Sequence, residues 1–176
     1  MRKQIYRSVF VGGCGATYGH HAVWQFYDPA RHRAVNFADR HWHEAIVRLG
    51  AQQVIHLRRL MESLPYFNRI PDDTVIAQES LGQLSSRLCA TRDSAGRYAL
   101  VYVPNSQTVT VRLNVIVGGR VAVSWFDPRT GADTPIGVFA NTGTRFFTTP
   151  AHGPDWVLVI QRSYETSDVK INAPWQ

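Results

Sequence analysis

The sequence predicts an α+β segment followed by an all-β domain: helix, strand and helix first, then an antiparallel β-sandwich of about eight strands. Three observations carry this. The hydrophobic period changes from helical to two near residue 70. Turn signals beyond that point recur at the spacing of short strands. The charge changes at the same place: residues 1–62 hold nine Lys/Arg against four Asp/Glu, and residues 63–176 hold ten against nine.

Ile5, Tyr6, Val9 and Phe10 fall on one face of a short helix that Gly12, Gly13 and Gly15 end. The stretch ATYGHHAVWQF, residues 16–26, is rich in β-branched and aromatic residues and is bounded by glycines and by Asp28-Pro29. It reads as a buried strand. A polar loop, PARHRAVNFADRHW, follows. In AQQVIHLRRLMESL, residues 51–64, Val54, Leu57, Met61 and Leu64 form an apolar stripe, with Gln52, His56, Arg59 and Glu62 facing away; Pro65 ends this amphipathic helix. Tyr98, Leu100 and Tyr102 alternate with Ala99, Val101 and Val103, so this strand is apolar on both faces and central. Val109, Val111 and Leu113 alternate with Thr110 and Arg112, as a half-exposed strand should. Further strands are expected near 75–79, 87–92, 120–126, 134–139, 144–149 and 155–161, with the polar tail after Arg162 left outside the core.

Composition excludes several classes of function. The 176 residues are too few for a complete (β/α)8 barrel, which needs about 250. No apolar run approaches the roughly 18 residues of a membrane span. The N-terminal MRKQIYRSVFVGGCG has too short an apolar stretch for a signal peptide. The net charge is +6, but the arginines are scattered rather than clustered on one helix, which argues against a nucleic-acid partner. Cys14 and Cys89 are read as two buried free thiols, neither a disulfide framework nor a metal cluster. His20, His21, His41 and His43 share the first half, yet adjacent histidines on a strand point to opposite faces, so no metal and no cofactor is expected.

Two motifs stand out. In WFDPRTG, residues 125–131, Pro128 presets a turn and Gly131 can take positive φ, so a hairpin explains the motif; a functional loop at Arg129 is the alternative. TYGHHAVW, residues 17–24, places His20, His21 and Trp24 near the end of a buried strand, where barrel enzymes put substrate contacts. Trp24 could stack on a sugar ring and a histidine could bond a hydroxyl; the other reading is a core tryptophan with hydrogen-bonded histidines. Acid/base candidates are few. The four glutamates are Glu44, Glu62, Glu79 and Glu165, and none is paired in a recognisable motif.

These residues carry a family resemblance. RKQIYRSVFVGGCGATYGHHAVWQFYDP, continuing through HLRRLMESLPYFNRIPD, resembles the C-terminal end of the apiosidase-like glycoside hydrolase barrels. ATRDSAGRYALVYVP, WFDPRTGADTPIG and GPDWVLVI resemble the β-sandwich that follows them, known as the "putative collagen-binding domain of a collagenase". The resemblance implies a division into residues 1–68, the helix–strand–helix end of a (β/α)8 barrel; 69–164, the sandwich; and 165–176, a polar tail. It implies hydrolysis of a glycosidic bond in plant or pectic glycans by two carboxylates. In the family these lie on earlier strands, so the chain is expected to be catalytically incomplete alone and to contribute His20, His21, Trp24 and Tyr18 to the sugar pocket. Full-length relatives are expected to be exported. An unpaired last strand and two apolar helix faces are expected to lead to association, partial disorder or complementation by a partner chain carrying the rest of the barrel, unless residues 1–64 fold back on the sandwich. The alternatives are a sandwich that binds glycan or matrix protein, through Tyr98, Tyr102, Trp125 and Trp156 if they are exposed, and a structural cap for the barrel.

Overall fold

The computed structural model describes residues 1–163, and the predicted polar tail at 165–176 lies outside them. The second half builds strands β1 (Arg69–Pro71), β2 (Cys89–Asp93), β3 (Tyr98–Val103), β4 (Thr108–Arg112), β5 (Arg120–Phe126), β6 (Asp133–Ala140), β7 (Thr144–Thr148) and β8 (Trp156–Arg162). Six of them form an antiparallel sheet in the order β1-β2-β3-β8-β5-β6, and β4 pairs with β7 in a second sheet. Because side chains alternate along a strand, β3 serves two cores at once. Ala99, Val101 and Val103 pack with Val123, Trp125, Leu158 and Ile160 against Val109, Val111 and Phe147 of the small sheet. Tyr98, Leu100 and Tyr102 face the other way, with Val157 and Val159. This is the central strand, apolar on both faces, that the sequence predicts.

The opposite face of the large sheet is covered by helices α1 (Arg2–Phe10) and α4 (Leu49–Glu62). Ile5, Tyr6, Val9 and Phe10 of α1 and Leu57, Leu60, Met61 and Leu64 of the α4 region fill this second core. Both predicted apolar faces are therefore buried by folding back on the sandwich. The result is three layers: helices, a six-stranded sheet and a two-stranded sheet.

A buried polar contact ties the helices to the sheet. Arg2 donates to both carboxylate oxygens of Asp155, at 3.0 and 2.5 Å, and to Gln53 Oε1 of α4. Tyr102 of β3 donates to Asp155 from the sheet side at 3.0 Å. Asp155 is fully buried, and its hydrogen bond keeps the Arg2 guanidinium charged more firmly than usual. Gln53, read from the period as outside the stripe, is buried because it shares this arginine.

Several local readings need correction. Residues 16–26 form no strand: 15–20 are irregular and a short helix α2 (His21–Trp24) follows. A strand needs a neighbour to accept its backbone hydrogen bonds, and none of the described strands pairs with this stretch. Residues 75–79 are not a strand either. The Asp72 side chain accepts the Thr74 N–H and caps a 3-10 turn at Asp73–Val75, leaving a single bridge from Ile76 to Val111. The three-residue β1, too short to show a period, takes the sheet edge instead. Cys14 is exposed; only Cys89 is buried, and burial pushes its thiol pKa up.

WFDPRTG is the β5–β6 hairpin, with Phe126 paired to Asp133. Gly131 has φ +74°, and a Cβ there would lie 2.5 Å from His56 Nδ1. His56 thus leaves the solvent face of α4 and packs on the turn. Gly131→Ala is expected to lose about 1–3 kcal/mol, from left-handed strain and from the displaced imidazole. Urea unfolding measures this, and adding His56→Ala should recover part of it.

Two buried aspartates set the acid limit. Hydrogen bonds from Arg97 hold the Asp93 carboxyl below its ordinary range, against burial. Burial works to raise Asp127, but Arg129 overcomes it and the net direction is also down. A depressed folded pKa contributes stability above the unfolded value of about 4 and loses it as pH falls through the folded value. The midpoint of thermal unfolding should therefore drop as pH falls below about 4. Asp93→Asn should flatten that fall.

Candidate functional site

Residues 14–48 form a small lobe beside the helical layer. Its apolar centre is slight: Ala22, Ala38 and Ala45, with Val23 and Tyr27 against them. Helix α2 meets α3 (Trp42–Ile46), and the Gln25 side chain staples the loop by bonding both the N–H and the C=O of Val35. At the base of the lobe, Tyr66 donates to the Cys14 carbonyl, and Arg69 donates to the Val9 and Gly13 carbonyls at the end of α1.

The four residues read as sugar contacts divide into two pairs. His20 and Tyr18 adjoin the start of α4. His20 Nδ1 accepts the Ala22 N–H and caps α2, while its Nε2 lies 3.1 Å from Arg48 Nη1. The Tyr18 ring lies against Gly50, where a Cβ would approach it to 3.0 Å. His21 and Trp24 instead meet each other: Trp24 Nε1 donates to His21 Nδ1 at 3.4 Å, and His21 sits edge-on to Phe37 at 5.6 Å. Trp24 is 56% exposed and Phe37 is 83% exposed, so neither is a core residue.

Sequence reasoning missed Arg48 and Asp39. Arg48 occupies the N-cap of α4, where the helix dipole disfavours a cation. That anomaly would have flagged it had the helix start been placed at Leu49. It contacts His20 and lies 3.9 Å from Asp39. The Asp39 carboxyl is held down to about 2 by its hydrogen bonds from Arg40, against a small effect of burial, with Arg48 adding to the same direction. Asp39 is therefore ionised at neutral pH and has no proton to give as a general acid.

His20 Nδ1 accepts the Ala22 N–H, while its Nε2 faces an Arg48 guanidinium that can only donate, so the two donors compete for the one acceptor nitrogen an imidazole offers. The remaining N–H groups of Arg48 are donors suited to an oxygen of a polyhydroxylated ligand. Trp42 adds an aromatic wall, edge-on to Phe26 at 5.5 Å and stacked with His41 at 6.0 Å. Among the described residues no group of three or more His, Cys, Asp or Glu side chains converges as a metal site would. Among them, too, no helix is long and apolar enough to cross a membrane.

Helices laid on a β-sandwich, with an aromatic lobe above them, are also found in solved glycoside hydrolases. One such structure, described as a glycoside hydrolase, superposes with a TM-score of 0.84 at 32% identity, covering 92% of this chain and 36% of its own. A crystal structure of a glycoside hydrolase family 5 protein from Bacteroides vulgatus ATCC 8482 gives the same TM-score and identity, covering 91% of this chain and 35% of its own. This chain thus spans about a third of the length of these solved relatives. The chain belongs to the family described as "Putative collagen-binding domain of a collagenase", whose model matches residues 70–161. Ahead of it, residues 1–68 match the model of an "Apiosidase-like, catalytic domain". No curated protein matches the sequence.

Proposed function

We propose that this chain supplies the sugar-contacting end and the accessory sandwich of an apiosidase-like glycoside hydrolase acting on plant or pectic glycans. On this reading the catalytic carboxylate pair comes from barrel strands outside the present sequence. The observation that carries it is the lobe itself. The run 15–20 pairs with none of the described strands, and it leads directly into His20 beside Arg48. Around it Trp24, Phe26, Phe37, Val47 and Leu49 leave a broad apolar surface uncovered. Such a surface fits the remainder of a catalytic domain, whose model residues 1–68 match. Within the completed domain, His20, His21, Trp24 and Tyr18 bind and orient the sugar, and Arg48 donates to a ring hydroxyl.

The sandwich then acts as the base of the assembly. The alternative in which Tyr98, Tyr102, Trp125 and Trp156 form an aromatic ligand face is not supported, because all four are buried in the two cores.

The test is complementation. This chain is mixed with a polypeptide carrying the upstream barrel strands of a relative, and release of apiose from a pectic side-chain oligosaccharide is measured. Hydrolysis by the mixture and not by either part supports the reading; hydrolysis by this chain alone at enzymatic rates overturns it. In the active mixture, Trp24→Ala should lower kcat/KM by about 10–100-fold, the worth of 1–3 kcal/mol of ring stacking. Because Trp24 is exposed, the same change should move the stability of the chain by less than about 0.5 kcal/mol.

A further inference from the structure

The sandwich is open along one side. There β6 ends the six-stranded sheet and β7 ends the two-stranded one, and neither has a further neighbour among the described strands. Residues of both edges line an open cleft of about 440 Å³. Trp125 and Phe147, both buried, form its floor. Phe139, Arg145 and Phe146 stand around them, and no acidic side chain lines the cleft. We infer that this cleft binds a uronic acid residue of an acidic glycan.

The alternation of β7 supplies the cation. Thr144, Phe146 and Thr148 share a face with Arg112, Thr110 and Thr108 of β4, their partners in register, and this face looks outward. Arg145 and Phe147 therefore turn toward the large sheet. Phe147 enters the core, whereas Arg145 stays exposed and lays its guanidinium over the Phe139 ring, 4.1 Å from the centroid. Among the described residues no carboxylate pairs with Arg145. Stacking on the ring holds the planar fork in place and leaves its N–H edges free. A fork held in this way can receive a carboxylate through two parallel hydrogen bonds. Asp133, the one acidic residue of β6, accepts from Ser124 Oγ at 2.6 Å and lines a different cavity.

The chemistry of the cleft selects the ligand. A cation with no acidic neighbour complements an anion. Phe146, 71% exposed, offers an apolar ring to the C–H face of a pyranose. Thr148, also on the cleft, shares a single hydrogen bond with Thr108 at 2.9 Å, so one hydroxyl proton of the pair remains for a ligand oxygen. A sugar acid uses all three groups. An inorganic anion would use the arginine alone, and a fatty acid would call for an enclosed apolar channel. A further β-strand is disfavoured, because β6 carries Pro135 and a register shift opposite Val123 and Ser124, features by which sheet edges resist extension. The volume falls in the range of small-molecule sites.

The inference stands apart from hydrolysis, because the cleft lies on the sandwich and binding is read without turnover. The experiment titrates the 15N-labelled chain with trigalacturonate, with its neutral counterpart galactotriose and with octanoate, following the indole N–H signals of its five tryptophans. Trp125→Phe assigns the signal at the cleft floor; if that variant does not fold, backbone-linked assignment of the unchanged protein replaces it. The expected result is movement of the Trp125 signal with trigalacturonate, at an affinity about tenfold or more above that for galactotriose. Arg145→Gln should weaken binding by about 10–100-fold, the loss of a charge-assisted hydrogen bond, and Phe146→Ala by about 3–10-fold. Both side chains are exposed, so both variants should keep the fold. No movement up to about 10 mM trigalacturonate, tenfold above a millimolar Kd, overturns the proposal. So does equal affinity for galactotriose, which marks a neutral-sugar cleft, equal affinity for octanoate, which marks a carboxylate site blind to sugar, or undiminished binding by Arg145→Gln.

Discussion

Arg2→Ala is expected to lower the stability of this chain by about 3–5 kcal/mol, more than a surface ion pair could account for. The reason is what remains. Asp155 is fully buried, and without Arg2 it keeps only the Tyr102 hydrogen bond and the field of Arg129. Gln53 also loses its partner inside the helical layer. For a chain of this size each kcal/mol moves Tm by about 2–4 °C, so thermal unfolding should start roughly 6–20 °C lower. A double variant, Arg2→Ala with Asp155→Asn, should be less unstable than the sum of the single changes, since it removes the orphaned charge together with its partner. A loss under about 1 kcal/mol in urea unfolding would sink the idea that this pair joins the helices to the sandwich.

Phe10→Ala is the second large effect, expected at about 3–5 kcal/mol. Phe10 is fully buried, 5.8 Å from the Tyr102 ring and 6.3 Å from Tyr6. Removing it opens a void between α1 and the sheet, where Tyr6 also stacks on Tyr102 at 5.2 Å. The six-stranded sheet keeps its other core, so the damage should begin in the helices. Hydrogen exchange should show faster opening at Arg2–Phe10 and Leu49–Glu62 while Tyr98–Val103 stays protected by its neighbours β2 and β8. The uncovered face, with Tyr98, Leu100 and Val159, should drive association visible by size-exclusion chromatography. Unchanged exchange in α1 would mean that the helix is held by something other than this packing.

Both predictions concern the boundary between the two family matches, at residues 68 and 70. The helices assigned to the catalytic part and the sheet assigned to the sandwich share one core. The sandwich is in this sense a platform for the lobe.

Much of this was legible from residue order, and the particular elements show why. The stripe Ile5, Tyr6, Val9, Phe10 marks α1 because a helix of that pitch puts those positions on one face whatever it packs on. Strand β3 announced itself as central because its two alternating sets are both apolar. The hairpin at Asp127 to Gly131 was readable because proline and glycine act on their own backbone angles. Tyr98, Tyr102, Trp125 and Trp156 could be read as core from the same period.

Other features depended on neighbours far along the chain. The stretch 16–26 has strand composition, but composition cannot supply a hydrogen-bonding partner, and the chain became a coil and a short helix there. His56 looked like a solvent position on α4 but packs against the Gly131 turn, and Gln53, outside the predicted stripe, is buried against Arg2. Arg48 and Asp39 attracted no notice because their meaning lies in the His20 imidazole and in each other. Sequence by itself determined the two periods, the turns, and the faces that had to be buried, since each follows from local geometry. Only the tertiary structure decided that the helices close on the sheet through Asp155, that Trp24 stands in the open, and that His56 packs on the Gly131 turn. Those outcomes rest on contacts between residues as far apart as Arg2 and Asp155, and chain order alone does not specify such distances.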